Sequence, residues 1–209
     1  MYLSRVKLDL KRSDTKRAVS SPQVMHGIIE GCYIEKNRTL WRLDALNGNL
    51  YLLLVSELPP NFENLCFQLC EEGETGETKN YKAYLDRIKK GQEFRFRIRG
   101  NTVHCIMTEK GRRGKVVPHV GKSHKNEWLI KKSKLNGFKI AEDCFSIVES
   151  GVQQFYKKRK SIPVRLSYTV FEGILNVTDE KLFVEALSRG IGRGKAYGCG
   201  LITVMELIL

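Results

Sequence analysis

Four histidines, His26, His104, His119 and His124, are the side chains of this 209-residue sequence best suited to exchanging protons near neutral pH. A metal is not expected beside them. The six cysteines (Cys32, Cys66, Cys70, Cys105, Cys144 and Cys199) include no CxxC pair, so neither a zinc site nor a disulfide framework is legible. Cys32, Cys66 and Cys70 fall on the apolar faces of predicted helices and read as buried free thiols. The chemistry open to such a chain is acid-base chemistry by imidazole, with charge supplied by its lysines and arginines.

A second candidate is the segment RGIGRGKAYGCG, where Gly190, Gly192, Gly194, Gly198 and Gly200 are interleaved with Arg189, Arg193 and Lys195. Glycine lets backbone amides approach a phosphate closely, and the cations add charge, so the segment can cradle a phosphodiester. The plainer alternative is a tight helix-to-strand connection packed on a sheet. A dinucleotide fingerprint or Walker loop follows a strand and opens a helix, whereas here a helix precedes and a strand follows; no nucleotide cofactor is expected.

The elements that must position these residues follow the same order in each half of the chain. Tyr2, Val6, Leu8 and Leu10 alternate with charged residues as in a half-buried strand. Ser21 as N-cap and Pro22 as first helical residue introduce Met25, Ile28, Ile29, Cys32 and Tyr33, predicting a helix from Pro22 to Lys36. Two apolar runs around Asn47, Gly48 and Asn49 predict a hairpin. A helix through Phe62, Leu65, Leu69 and Cys70 follows, and a weaker segment, Tyr81 to Leu85, would close a βαββαβ unit. From FRFRIRGN onward, with Phe94, Phe96 and Ile98 alternating with Arg95, Arg97 and Arg99, the order starts again: a helix from Ser123, strands over Phe138 to Val148 and 162–177, a helix over Glu180 to Leu187 and a last strand, Leu201 to Leu207. The expected fold class is α+β, two tandem ferredoxin-like domains, residues 1–90 and 91–209.

Charge separates the halves. Residues 1–90 carry 14 basic and 12 acidic side chains, residues 91–209 carry 22 and 11, which together make the net +13. Such a field attracts a polyanion, and nucleic acid is favoured over a membrane surface because no cationic amphipathic helix with an aromatic face stands out. No run approaches the roughly 18 apolar residues of a membrane span, and the opening MYLSRVKLDL lacks a signal sequence's apolar core, so the cytoplasm is the expected location. Between Arg95 and Lys134 lie 12 basic residues against Glu109 and Glu127, with KGRRGK (Lys110, Arg112, Arg113 and Lys115) reading as a cationic hairpin tip for a duplex groove. Lys157, Lys158, Arg159 and Lys160 form another patch, which as a solvated loop needs no ligand. Exposed stacking aromatics are few, favouring a folded RNA stem over an unstructured strand. RNA needs no metal to be cut, because its own 2′-hydroxyl can attack the neighbouring phosphorus once protons are moved.

The C-terminal GIGRGKAYGCGLITV, preceded by FEGIL (Phe171 to Leu175), resembles the type I-E CRISPR RNA endoribonuclease family, often called CasE; the opening MYLSRVKLD and FRFRIRGN are similar to it as well, in the same order along nearly the whole chain. The resemblance implies two ferredoxin-like domains, recognition of a CRISPR repeat hairpin, a cut at its 3′ base, and retention of the product crRNA with the other subunits of the Cascade complex. On pattern alone His26 is a surface-edge histidine, at the border of its helix's apolar stripe. The resemblance makes it the catalytic histidine, in the motif that SSPQVMHG matches. Gln23 stands where the family often has a tyrosine, and an amide can position a phosphate or hydroxyl but cannot transfer protons at neutral pH. That tyrosine was therefore auxiliary, or this enzyme is slow, or another group such as Lys195 or Tyr197 helps. His104, His119 and His124 read as structural or RNA-contacting. A non-catalytic hairpin-binding subunit of the same assembly is the alternative.

Overall fold

The computed structural model describes residues 1–107, 114–156 and 162–207. Its elements run β1 (Tyr2–Leu8), α1 (Ser13–Ser20), α2 (Pro22–Glu30), β2 (Thr39–Leu46), β3 (Asn49–Ser56), α3 (Glu63–Leu69), β4 (Glu77–Asn80), α4 (Lys82–Leu85), β5 (Glu93–Gly100), β6 (Val103–Ile106), β7 (Lys115–Pro118), α5 (Lys122–Leu135), β8 (Phe138–Lys139), β9 (Phe145–Phe155), β10 (Val164–Val177), α6 (Glu180–Arg189) and β11 (Ile202–Glu206). The first sheet has the order β2-β3-β1-β4 and the second β11-β5-β10-β8, with β9 also paired to β10. All pairings are antiparallel. These are two ferredoxin-like units in tandem, in the second of which one strand is split into β8 and β9.

The turn chemistry explains the tightest connection. Asn47 (φ 50) and Gly48 (φ 75) both lie in left-handed space, as a two-residue hairpin loop demands, and they set the β2–β3 register from Thr39↔Ser56 to Leu46↔Asn49. Three local expectations are corrected. The helix foreseen from Pro22 to Lys36 ends at Glu30, and a separate helix, α1, precedes it. Only Thr15 and Ala18 of α1 are buried, too thin a stripe to read from sequence. The strand foreseen at Tyr81 to Leu85 is the short helix α4: Tyr81 and Leu85, one turn apart, are both buried, and Asn80 Oδ1 accepts a hydrogen bond from Lys82 N. The edge strand lies just before it, in the wholly exposed ETKN of β4, which has no apolar alternation to betray it. The helix foreseen from Ser123 begins one residue earlier, at Lys122 after Gly121.

The two sheets share a core. Leu40, Val55, Tyr81, Leu85 and Ile88 of the first half pack in one apolar cluster with Phe94, Phe96, Ile98, Phe171 and Phe183 of the second. Beside it Arg42, only 1% exposed, donates to the carbonyls of Arg97 (2.8 Å) and Leu201 (2.9 Å) and to Thr203 Oγ1 (2.7 Å), while pairing with Asp44. A charge is held this deep only because every donor finds an acceptor: Asp44 on its own strand, Arg97 on β5, Thr203 on β11 and Leu201 just before β11. No helix among the described residues is long and apolar enough to cross a membrane.

Candidate active site

His26 sits on α2, whose buried face consists of Pro22, Met25 and Ile29. One position past Met25, its ring is turned to the helix edge, 27% exposed, with Nε2 3.4 Å from Glu30 Oε1 one turn on. The Gly-rich segment arrives against this helix from the other end of the chain. Gly194 and Gly198, both left-handed, bracket a single 3-10 turn, Lys195–Tyr197. Trp41 of β2 holds the turn from below: its Nε1 donates to the Ala196 carbonyl (3.1 Å), and a Cβ on Gly198 would stand 2.8 Å from its ring. The turn sets the Tyr197 ring 6.2 Å from that of His26, edge-on at 73°, and its hydroxyl donates to Gln23 Oε1 at 3.5 Å. On its far side Tyr197 packs against Phe155, with ring centroids 4.7 Å apart.

An imidazole, a phenol and an amide therefore meet at one surface edge. The imidazole can take or give a proton near neutral pH, and the phenol and amide can donate hydrogen bonds to phosphate oxygens or a ribose hydroxyl.

Of the other residues singled out by sequence, Lys195 turns away, donating Nζ to the Arg189 carbonyl at 2.6 Å. Its ammonium is pushed below the usual lysine range, first by burial and then by Arg38 and Arg189. Arg38 donates to the same carbonyl, so the end of α6 is a small cationic knot, with Arg189 itself facing Glu185. Gly190 ends that helix with φ 70. Gly192 and the exposed Arg193 border a pocket on the β6–β7 side of the loop.

The three arginines of β5 part company. Arg95 is exposed, whereas Arg97 binds Asp44 (Nε to Oδ1, 3.1 Å) and Glu172. Arg99 lies 3.9 Å above the Tyr168 ring and donates to Gln153 Oε1 at 2.8 Å. Sequence reading saw a uniform cationic face because Asp44 and Glu172, its neutralising partners, lie far away in the chain. Trp41 and Arg42, which seat the loop and the second sheet, were missed for the same reason: on a strand they read as one core and one surface residue. Lys115 is exposed at the start of β7. Lys110, Arg112, Arg113, Lys157, Lys158, Arg159 and Lys160 lie outside the described residues.

Fold and site together define a tandem ferredoxin-like protein with a histidine of its first unit against a glycine-rich turn of its second. A family model described as CRISPR associated protein matches residues 1–205, and the chain belongs to that family. The CRISPR-associated endoribonuclease Cse3 of Thermus thermophilus is 26% identical over 219 residues, covering 98% of this chain and 99% of that protein. The CRISPR system Cascade subunit CasE of Escherichia coli K12 is 28% identical over 128 residues, 58% of this chain and 62% of that one. These relatives bear out the type I-E resemblance read from the sequence. Among solved structures, a CRISPR endoribonuclease Cse3 bound to a 19 nt RNA superposes with a TM-score of 0.82 at 24% identity, over 99% of this chain and 100% of that one. Cas6e from Escherichia coli K-12 gives 0.64 at 19% identity, over the same shares.

Proposed function

We propose that this protein is a metal-independent endoribonuclease that cuts the repeat hairpins of precursor CRISPR RNA and keeps the crRNA within a Cascade-type complex. The observation that carries the reading is the meeting of His26, Gln23 and Tyr197 from opposite ends of the chain. The endoribonuclease activity of the Thermus relative and the Cascade membership of the Escherichia relative support it.

His26 takes the proton of the 2′-hydroxyl at the cut. The 2′-oxygen attacks phosphorus, the bond from phosphorus to the 5′-oxygen breaks, the leaving oxygen takes a proton from water, and the His26 imidazolium gives its own back to the solvent, so no proton is gained or lost overall. The products are a 2′,3′-cyclic phosphate and a 5′-hydroxyl. Tyr197 and Gln23 orient the phosphate, and the cationic second half, Arg95, Arg193 and Lys115 included, holds the stem. The nucleophile belongs to the RNA, so the step asks the protein only for proton transfer and charge stabilisation.

The test is cleavage of a labelled repeat hairpin in EDTA, with and without a 2′-deoxy nucleotide before the cut. Cutting of the ribose substrate alone supports the mechanism, and cutting of the deoxy substrate overturns it. If His26→Ala and the unaltered protein both leave the ribose hairpin intact while binding it, the chain is a binding subunit and not an enzyme.

A further inference from the structure

The chain has four histidines, and the three other than His26 are gathered at one place. The His104 and His119 rings lie 4.5 Å apart, and those of His119 and His124 6.0 Å apart and nearly parallel at 16°. They border a pocket of about 490 Å³ between the β6–β7 hairpin, α5 and the Gly-rich loop. The site is built rather than accidental. His119 N donates to the Thr102 carbonyl (2.9 Å), and the Thr102 hydroxyl is buried against that of Thr169 (3.0 Å), which ties the hairpin to the second sheet.

Among the described residues, the charged groups lining the pocket with the rings are Lys131, Lys132 and Glu127 from α5 and Arg193 from the loop; β6 adds the thiol of Cys105. Three cations against one carboxylate make an anion site, and each imidazole can add a further charge. A metal fits less well, since no three His, Cys, Asp or Glu side chains among the described residues are arranged to hold one.

The geometry points to a second RNA subsite, in which one nucleotide's phosphate sits among His104, His119, His124 and Arg193, so that binding takes up protons. The inference rests on the RNA reading above but assigns a grip separate from the His26 edge. Within the protein alone His119 is held below the usual histidine range, first by burial, then by repulsion from His104 and His124, with Glu127 opposing. A phosphate reverses that balance, and the RNA complex then carries protons the free protein lacks. Gly192 and Arg193 stand on the loop that carries Tyr197, so occupancy of this pocket steadies the turn beside His26.

The test uses full-length His26→Ala protein and a hairpin made uncleavable by one 2′-deoxy nucleotide, with affinity measured from pH 5.5 to 8.5 at fixed ionic strength. The remaining three histidines are those of this pocket, so histidine-linked proton uptake reports it alone. Affinity should rise about tenfold per pH unit for each proton taken up as pH falls through the histidine range. The His104→Gln, His119→Gln, His124→Gln triple substitution should flatten the profile; His119→Gln alone should lower its slope if the triple variant does not fold. A flat profile before any of these substitutions, or an unchanged slope after them, overturns the subsite. Absence of hairpin binding at every pH instead overturns the RNA reading itself.

Discussion

Replacing Arg42 by Met keeps much of the stem's volume and removes every donor, which makes it a direct probe of how the two sheets are held together. The guanidinium donates to the Arg97 and Leu201 carbonyls and to Thr203 Oγ1, and it forms one half of the Asp44 pair. Breaking a buried pair by removing one partner costs about 3–5 kcal/mol. Asp44 keeps Arg97 at 3.1 Å, so the expected loss is at the lower end, about 3 kcal/mol, with unpaired carbonyls at about 1–3 kcal/mol each as the main source. For a chain of this length that lowers Tm by about 6–12 °C. Urea unfolding followed by circular dichroism should show a lower midpoint with an unchanged slope. A loss under about 1 kcal/mol would refute the view that this buried cation joins the halves.

Gly198→Ala places a Cβ 2.8 Å from the Trp41 ring at a φ of +76; about 1–3 kcal/mol of stability should be lost, and single-turnover cleavage should slow because the turn carrying Tyr197 shifts. Thiol titration of the native protein should modify Cys105 and Cys144 quickly, since both are exposed. Cys32 and Cys199, pushed by burial up to about 12 and about 11, should resist until denaturant is added. Arg97→Gln should lower stability while leaving the salt dependence of RNA affinity unchanged, because Asp44 and Glu172 already neutralise that side chain.

Much of the fold was legible because its periodicities are local. Phe94, Phe96 and Ile98 alternate so cleanly with arginines that β5 is unmistakable, and Asn47-Gly48 dictates its own turn. What escaped was whatever depends on distant partners. β4 is a polar edge strand, defined by β1 rather than by its own residues. The Arg42, Asp44, Arg97 and Glu172 network joins positions up to 130 residues apart in the chain, and neither its burial nor its neutrality shows in composition. At the site, sequence supplied His26 and the glycines, but the edge-on approach of Tyr197 follows from Trp41 beneath Gly198, a contact between the two units.

The central claim is that the imidazole of His26 moves the proton while the rest of the protein holds the RNA. Single-turnover cleavage and equilibrium affinity should be measured side by side on one repeat hairpin for the unaltered protein and His26→Ala. The rate should fall by about 10²–10⁴ with the dissociation constant within about threefold. A variant that cuts as fast as its parent, or one that fails to cut only because it no longer binds, would contradict it.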